Sequence, residues 1–155
     1  MIEESPYFTN PSLQQPTNNN KTSVFGMIIG VISLLMILPT AAIALLELSD
    51  EIEFGEFRWI ISSILFSLTI VSILLISGLN LVGFLKSDNL KMGAGIYLIS
   101  LSILNLNLRM SNLSHDRENW YFAQTWFEFI QLPMVHERLE LAILGIIIGA
   151  LIMKK

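Results

Sequence analysis

His136 and Glu140 stand four residues apart, a spacing that puts both on one face of a helix, and His115, Asp116 and Glu118 precede them in the same polar stretch. Imidazole and carboxylate are ligands that zinc or another divalent cation would take, so a metal site can be drawn from these residues. The drawing is weak: there is no HExxH, the histidines are not paired at ligand spacing, and side chains of these types are common in any wet loop. No metal is expected. The acidic stretch ELSDEIEFGEFR, Glu47 to Arg58, raises the same question for calcium, but Gly55 follows Glu53 without the Asp/Asn ladder of a calcium loop. With no cysteine in the chain, thiolate nucleophiles, disulfides, haem attachment and cysteine-held zinc or iron–sulfur centres are excluded. No G-x-S-x-G, phosphate-binding loop or dinucleotide fingerprint occurs, so no catalytic residue, no cofactor and no enzymatic activity are expected.

The remaining ionisable and amide side chains fall where long apolar runs end. Glu47, Arg58, Arg109 and Glu140, together with Asn105 and Asn107, flank such runs, and no ionisable group lies in the middle of one. A charge deep in hydrocarbon is the usual mark of a transport path. At the end of a run the same residues are expected to snorkel and to pair at an interface. Ser63, Ser67, Ser72 and Asn80, inside the second run, suit hydrogen bonds between helices. Asn112-Leu113-Ser114 is a glycosylation sequon, whereas Asn10-Pro11-Ser12 is blocked by its proline.

The elements that must position these residues are apolar helices. Of 155 residues, 53% are hydrophobic and only 14% charged, which is the composition of an integral membrane protein; the net charge of -4 removes nucleic acid as a partner. Crossing about 30 Å of hydrocarbon takes about 20 helical residues. Val24 to Leu46 offers 23 uncharged residues, Trp59 to Leu85 offers 27, Met92 to Leu108 offers 17 and Leu141 to Met153 offers 13. The last run spans only if Arg138 and Glu140 lie near one interface while Lys154 and Lys155 reach the other. The predicted fold is all-α: a four-helix membrane bundle over residues 23–155, with spans near 24–46, 59–85, 92–108 and 136–153. Residues 1–22, polar and rich in Asn and Pro, are expected to be a disordered tail. The small-x-small pattern of Ala42-Ile43-Ala44 suggests a cleaved secretory signal as the rival reading of the first run, against which stand its length and its single preceding Lys21.

Residues Asn119 to Phe129, NWYFAQTWFEF, hold six aromatic rings in eleven positions. On a helical wheel Phe122, Ala123, Trp126, Phe127, Phe129 and Ile130 gather within an arc of about 160°, opposite Gln124, Glu128 and Gln131. A short interfacial helix over 119–131 is expected before Pro133. Trp120, Phe122, Trp126, Phe127, Phe129 and Ile130 would then meet lipid or a partner, as a collar for the last span, a docking face or a lid over a substrate. Gly26 with Gly30 and Gly145 with Gly149 form two GxxxG pairs, read as packing of the first span on the fourth, as a dimer seam or as chance. Pro39 should kink the first span. Lys and Arg divide five to four between the two sides. The acidic first connection and the net positive KSDNLK turn favour both termini in the cytoplasm. The partners implied are the lipid bilayer, other membrane subunits or a second copy. The expected function is that of a small non-catalytic accessory subunit or scaffold acting through helix contacts. The alternative is a small transporter or channel lined by Ser and Asn of the second and third spans.

Overall fold

The computed structural model describes residues 23–115 and 133–154, and all regular structure among them is helical. The tail expected over 1–22 and the aromatic segment over 119–131, with Trp120, Phe122, Trp126, Phe127, Phe129 and Ile130, lie outside the described residues. Helix α1, Val24–Leu35, begins where the Ser23 hydroxyl accepts the Gly26 N–H at 3.0 Å, satisfying one of the donors a helix start leaves open. Met36 alone separates it from α2, Ile37–Phe54, and keeps right-handed helical geometry. Pro39 accounts for the interruption: it has no N–H to offer the Leu35 carbonyl one turn earlier. Met36 still donates to the Ile32 carbonyl at 3.0 Å and accepts the Thr40 N–H and hydroxyl at 3.2 and 2.7 Å, so the two helices follow one another as a rod.

The acidic stretch after Leu46 is helical rather than a loop. α2 runs through it to Phe54, and only Gly55 and Glu56 lead into α3, Phe57–Val82. Hydropathy marks where the apolar side chains stop, whereas the backbone ladder continues until a residue leaves helical geometry, as extended Gly55 does here. α3 closes on Gly83, whose φ of 86° lets Phe84 N–H reach the Leu79 carbonyl at 2.9 Å, a Schellman ending that glycine permits at least strain. α4, Asp88–His115, continues past the expected boundary at Leu108, and α5, Pro133–Met153, opens on proline, which suits a first helical position. Three units are long and apolar enough to cross a membrane: the rod over Val24–Glu53, α3 and α4. α5 has the length, but Glu137, Arg138 and Glu140 sit in its first turns.

α3 is the centre of the arrangement. The rod packs on one side of it, α4 and α5 pack closely on each other, and both also touch α3, whereas the rod has no comparable contact with α5. Neighbours run antiparallel. Gly26 and Gly30 lie by Leu81 and Val82, Gly95 lies by Met153, and Arg138 lies by Ser62, so Val24, Val82, Asp88 and Met153 mark one end of the assembly.

The interior sets small and polar side chains beside an apolar core of Ile73, Leu98, Leu101, Met110 and Ile152, and much of what lies outside is large and apolar. Ser62, Thr69, Ser72, Ser102, Asn105 and Arg138 are buried, while Phe25, Leu38, Leu45, Ile64, Leu104, Ile147 and many like them are exposed. The buried positions of α5, Val135, Arg138, Ala142, Gly145, Gly149 and Ile152, alternate in steps of three and four, the seam of antiparallel helices packed along their length. Gly145 faces Ser102, and a Cβ on Gly149 would lie 2.8 Å from the Gly95 carbonyl oxygen. A Cβ on Gly30 would lie 3.0 Å from the Gly78 carbonyl, so the first pair packs on α3 and the second on α4, not on each other. Gly26 is only partly buried, with its own Ser23 cap as nearest neighbour.

Candidate functional site

Where the rod and α5 fail to meet, at the end carrying Phe54, Phe57 and Pro133, the helices leave a cleft of about 510 Å3. Its lining is charged on both walls. α2 supplies Glu47, Asp50 and Glu51, α3 supplies Ser63 and Phe66, and α4 and α5 supply Arg109, Glu137 and Arg138. The three α2 carboxylates reach one wall because 47, 50 and 51 are helical neighbours one turn apart.

Arg138 anchors the other wall. It is only 8% exposed, its Nη1 donates to Asn105 Oδ1 at 2.7 Å and to the Ser62 carbonyl at 3.0 Å, and its guanidinium lies 3.9 Å from the centroid of the Phe66 ring. Two neutral acceptors and a ring face thus hold the cation. Among the described residues no carboxylate comes within ion-pair distance of it. Asn105, 1% exposed, spends its oxygen on this bond, and its Nδ2 is buried with no hydrogen-bond partner among the described residues. The Arg109 guanidinium also lies over a ring, 4.5 Å from the centroid of Trp59. Below the cleft, Asn112 Nδ2 donates to the Arg58 carbonyl at 2.9 Å, tying α4 to the start of α3. The side chain of Arg58 pairs with Glu56 at 2.7 Å near the surface.

These placements revise the reading of the polar residues. Asn105 and Arg138 do not snorkel; they meet inside the helix cluster, because α5 starts well before its apolar run and Arg138 there faces Asn105 on α4. Glu47 lines the cleft, while Asn107, His136 and Glu140 are exposed outside it. Among the described residues no three His, Asp or Glu side chains gather as a metal group; Asp116 and Glu118 lie outside the described residues. Asn112 is buried in the last turn of α4 with its amide donating to the Arg58 carbonyl, so the folded chain does not present the sequon at its surface. Ser72 makes an inter-helix contact of the expected kind, 3.2 Å from the Tyr97 hydroxyl on α4. The signal that would have placed Arg138 is its spacing. It stands seven residues before Gly145 and eleven before Gly149, on the same face as that glycine pair.

The fold and cleft define a class: an all-helical chain with three helices long and apolar enough to cross a membrane and a charged recess between helix ends. Compared with protein-family models, with curated proteins and with solved structures, the chain matches none of them.

Proposed function

We propose that this chain is a small integral membrane protein of four spans, with both ends on the cytoplasmic side, that acts without catalysis as an accessory subunit or scaffold through its helix faces. One observation carries the reading: Leu, Ile, Phe and Met cover the outside, while Ser, Thr, Asn and one Arg are buried beside the apolar core. In water such a surface would drive aggregation; in lipid it is the surface expected of a monomer or of a subunit awaiting a neighbour. α5 joins as the fourth span because its 21 residues cover about 30 Å. Its one buried cation turns inward to protein acceptors instead of outward to lipid. The rod supports a role in assembly, since Gly30 is the one buried residue in α1 and α2 has none described as buried. Purification in mild detergent followed by identification of co-purifying chains tests this. A stoichiometric membrane partner is expected, and a chain that stays alone and monomeric would overturn the subunit reading.

The charged cleft favours a second reading, a small transporter or channel using the Ser and Asn residues between α3 and α4. Reconstitution into vesicles distinguishes the two: solute or ion flux by the isolated chain would favour transport.

A further inference from the structure

We infer that the cleft is a binding site for a zwitterion, a phosphate and an ammonium joined by a short linker, whether free or as the headgroup of a phospholipid. The inference rests on the membrane reading only for the lipid source. The two charges of such a ligand match the two walls. Glu47, Asp50 and Glu51 on α2 would take the ammonium, and Arg138 on the facing wall would take the phosphate.

Among the described lining residues four carboxylates stand against two guanidiniums, so a lone phosphate would meet net negative charge there. A simple cation would leave Arg138 without an anion. Arg138 is also prepared for the role. Nη1 is used on Asn105 and Ser62, and Phe66 covers one face, which fixes the plane of the group. The rest of the guanidinium edge has no hydrogen-bond partner among the described residues, and the residue lines the cleft. Holding the cation by neutral acceptors keeps its charge available to a ligand, and orienting it in advance lowers the entropy lost on binding. The volume of about 510 Å3 is in the range of small-ligand sites and holds a phosphorylethanolamine-sized group with room to spare.

The test uses the full chain purified in a mild non-ionic detergent and follows thermal unfolding. Phosphorylethanolamine should raise the Tm at concentrations where inorganic phosphate and ethanolamine, each alone, do not. Doping with phosphatidylethanolamine should do the same where phosphatidylglycerol does not; a response to the lipid alone assigns the headgroup, and a response to the soluble compound alone assigns a free solute. The paired substitution Glu47→Gln and Asp50→Asn, both at exposed positions, should weaken the response about tenfold, while Glu53→Gln, outside the cleft, should leave it intact. Arg138→Lys should weaken it too, and its readout is the ligand-induced shift relative to its own unliganded Tm. Equal stabilisation by inorganic phosphate, an unchanged response in the α2 pair, or no response to either zwitterion source would overturn the assignment. None of these results depends on whether a partner chain co-purifies.

Discussion

Substituting alanine for glycine at two helical positions, Gly30 and Gly93, should move stability in opposite directions. At Gly30 the added methyl would lie 2.8 Å from Val82 Cγ2, 2.9 Å from Leu81 Cβ and 3.0 Å from the Gly78 carbonyl oxygen. Carbon contacts settle at about 3.5–4.0 Å, so these neighbours must give way by roughly 0.5–1 Å. The Val82 methyl can turn aside. Leu81 Cβ and the Gly78 carbonyl cannot move without their backbone, and so α1 must lift off α3. Overpacking of this kind costs about 1–3 kcal/mol, against about 1 kcal/mol regained by replacing glycine with alanine in a helix. At Gly93 nothing lies within 4 Å, so only the gain of up to about 1 kcal/mol remains. The two variants should therefore differ by about 1–3 kcal/mol, at roughly 2–4 °C of Tm per kcal/mol for a chain of this size. Thermal unfolding of both in the same detergent measures the gap. If Gly30→Ala is as stable as Gly93→Ala or more so, the close contact of α1 with α3 is not made.

Arg138→Lys should destabilise the chain by about 1–3 kcal/mol in detergent unfolding, because a single ammonium cannot serve Asn105 and Ser62 in the same fork while lying over Phe66; unchanged stability would mean that the buried network carries no weight. Asn112→Leu should cost about 0.5–1.5 kcal/mol by removing the buried bond that ties α4 to the Arg58 carbonyl, and expression in a glycosylating host should leave the wild-type mass unchanged, a glycan on Asn112 being the refuting result. Single cysteines at positions 15 and 155 should react with an impermeant reagent from the same side, and one at position 53 from the other. Labelling of 155 together with 53, but not 15, would show that α5 does not cross.

The helices were legible because apolar runs of 23, 27 and 17 residues have the length and composition of membrane-crossing helices. Their ends were not. The charge at Glu47 stops a hydropathy run, but backbone hydrogen bonding ignores it and carries α2 on to Phe54, just as α4 passes Arg109 to reach His115. The glycine pairs announced close packing, since only small residues at helical spacing allow it. Their partners were hidden because the register between two helices is a tertiary property: Gly78 and Gly95, which face them, belong to no GxxxG pair. The cleft was hidden for the same reason. Its residues come from four helices, and hydropathy assigns Glu47, Arg109 and Arg138 to interfaces one at a time without showing that they converge.

The burial of Arg138 also bears on how the chain is made. A translocating machine that meets α5 alone meets a short apolar stretch headed by Glu137, Arg138 and Glu140, which is a poor candidate for release into lipid by itself. Its acceptors, Asn105 and the Ser62 carbonyl, belong to helices synthesised earlier. On the four-span reading proposed above, α5 would enter as the partner of α3 and α4, with the earlier helices already side by side to receive it. Replacing Asn105 with leucine should then lower the fraction of newly made chains whose final segment crosses, and an unchanged fraction would show that α5 enters unaided. On that reading, a chain stopped before Pro133 would leave the faces of Asn105 and Ser102 that α5 covers open to the bilayer as a polar stripe.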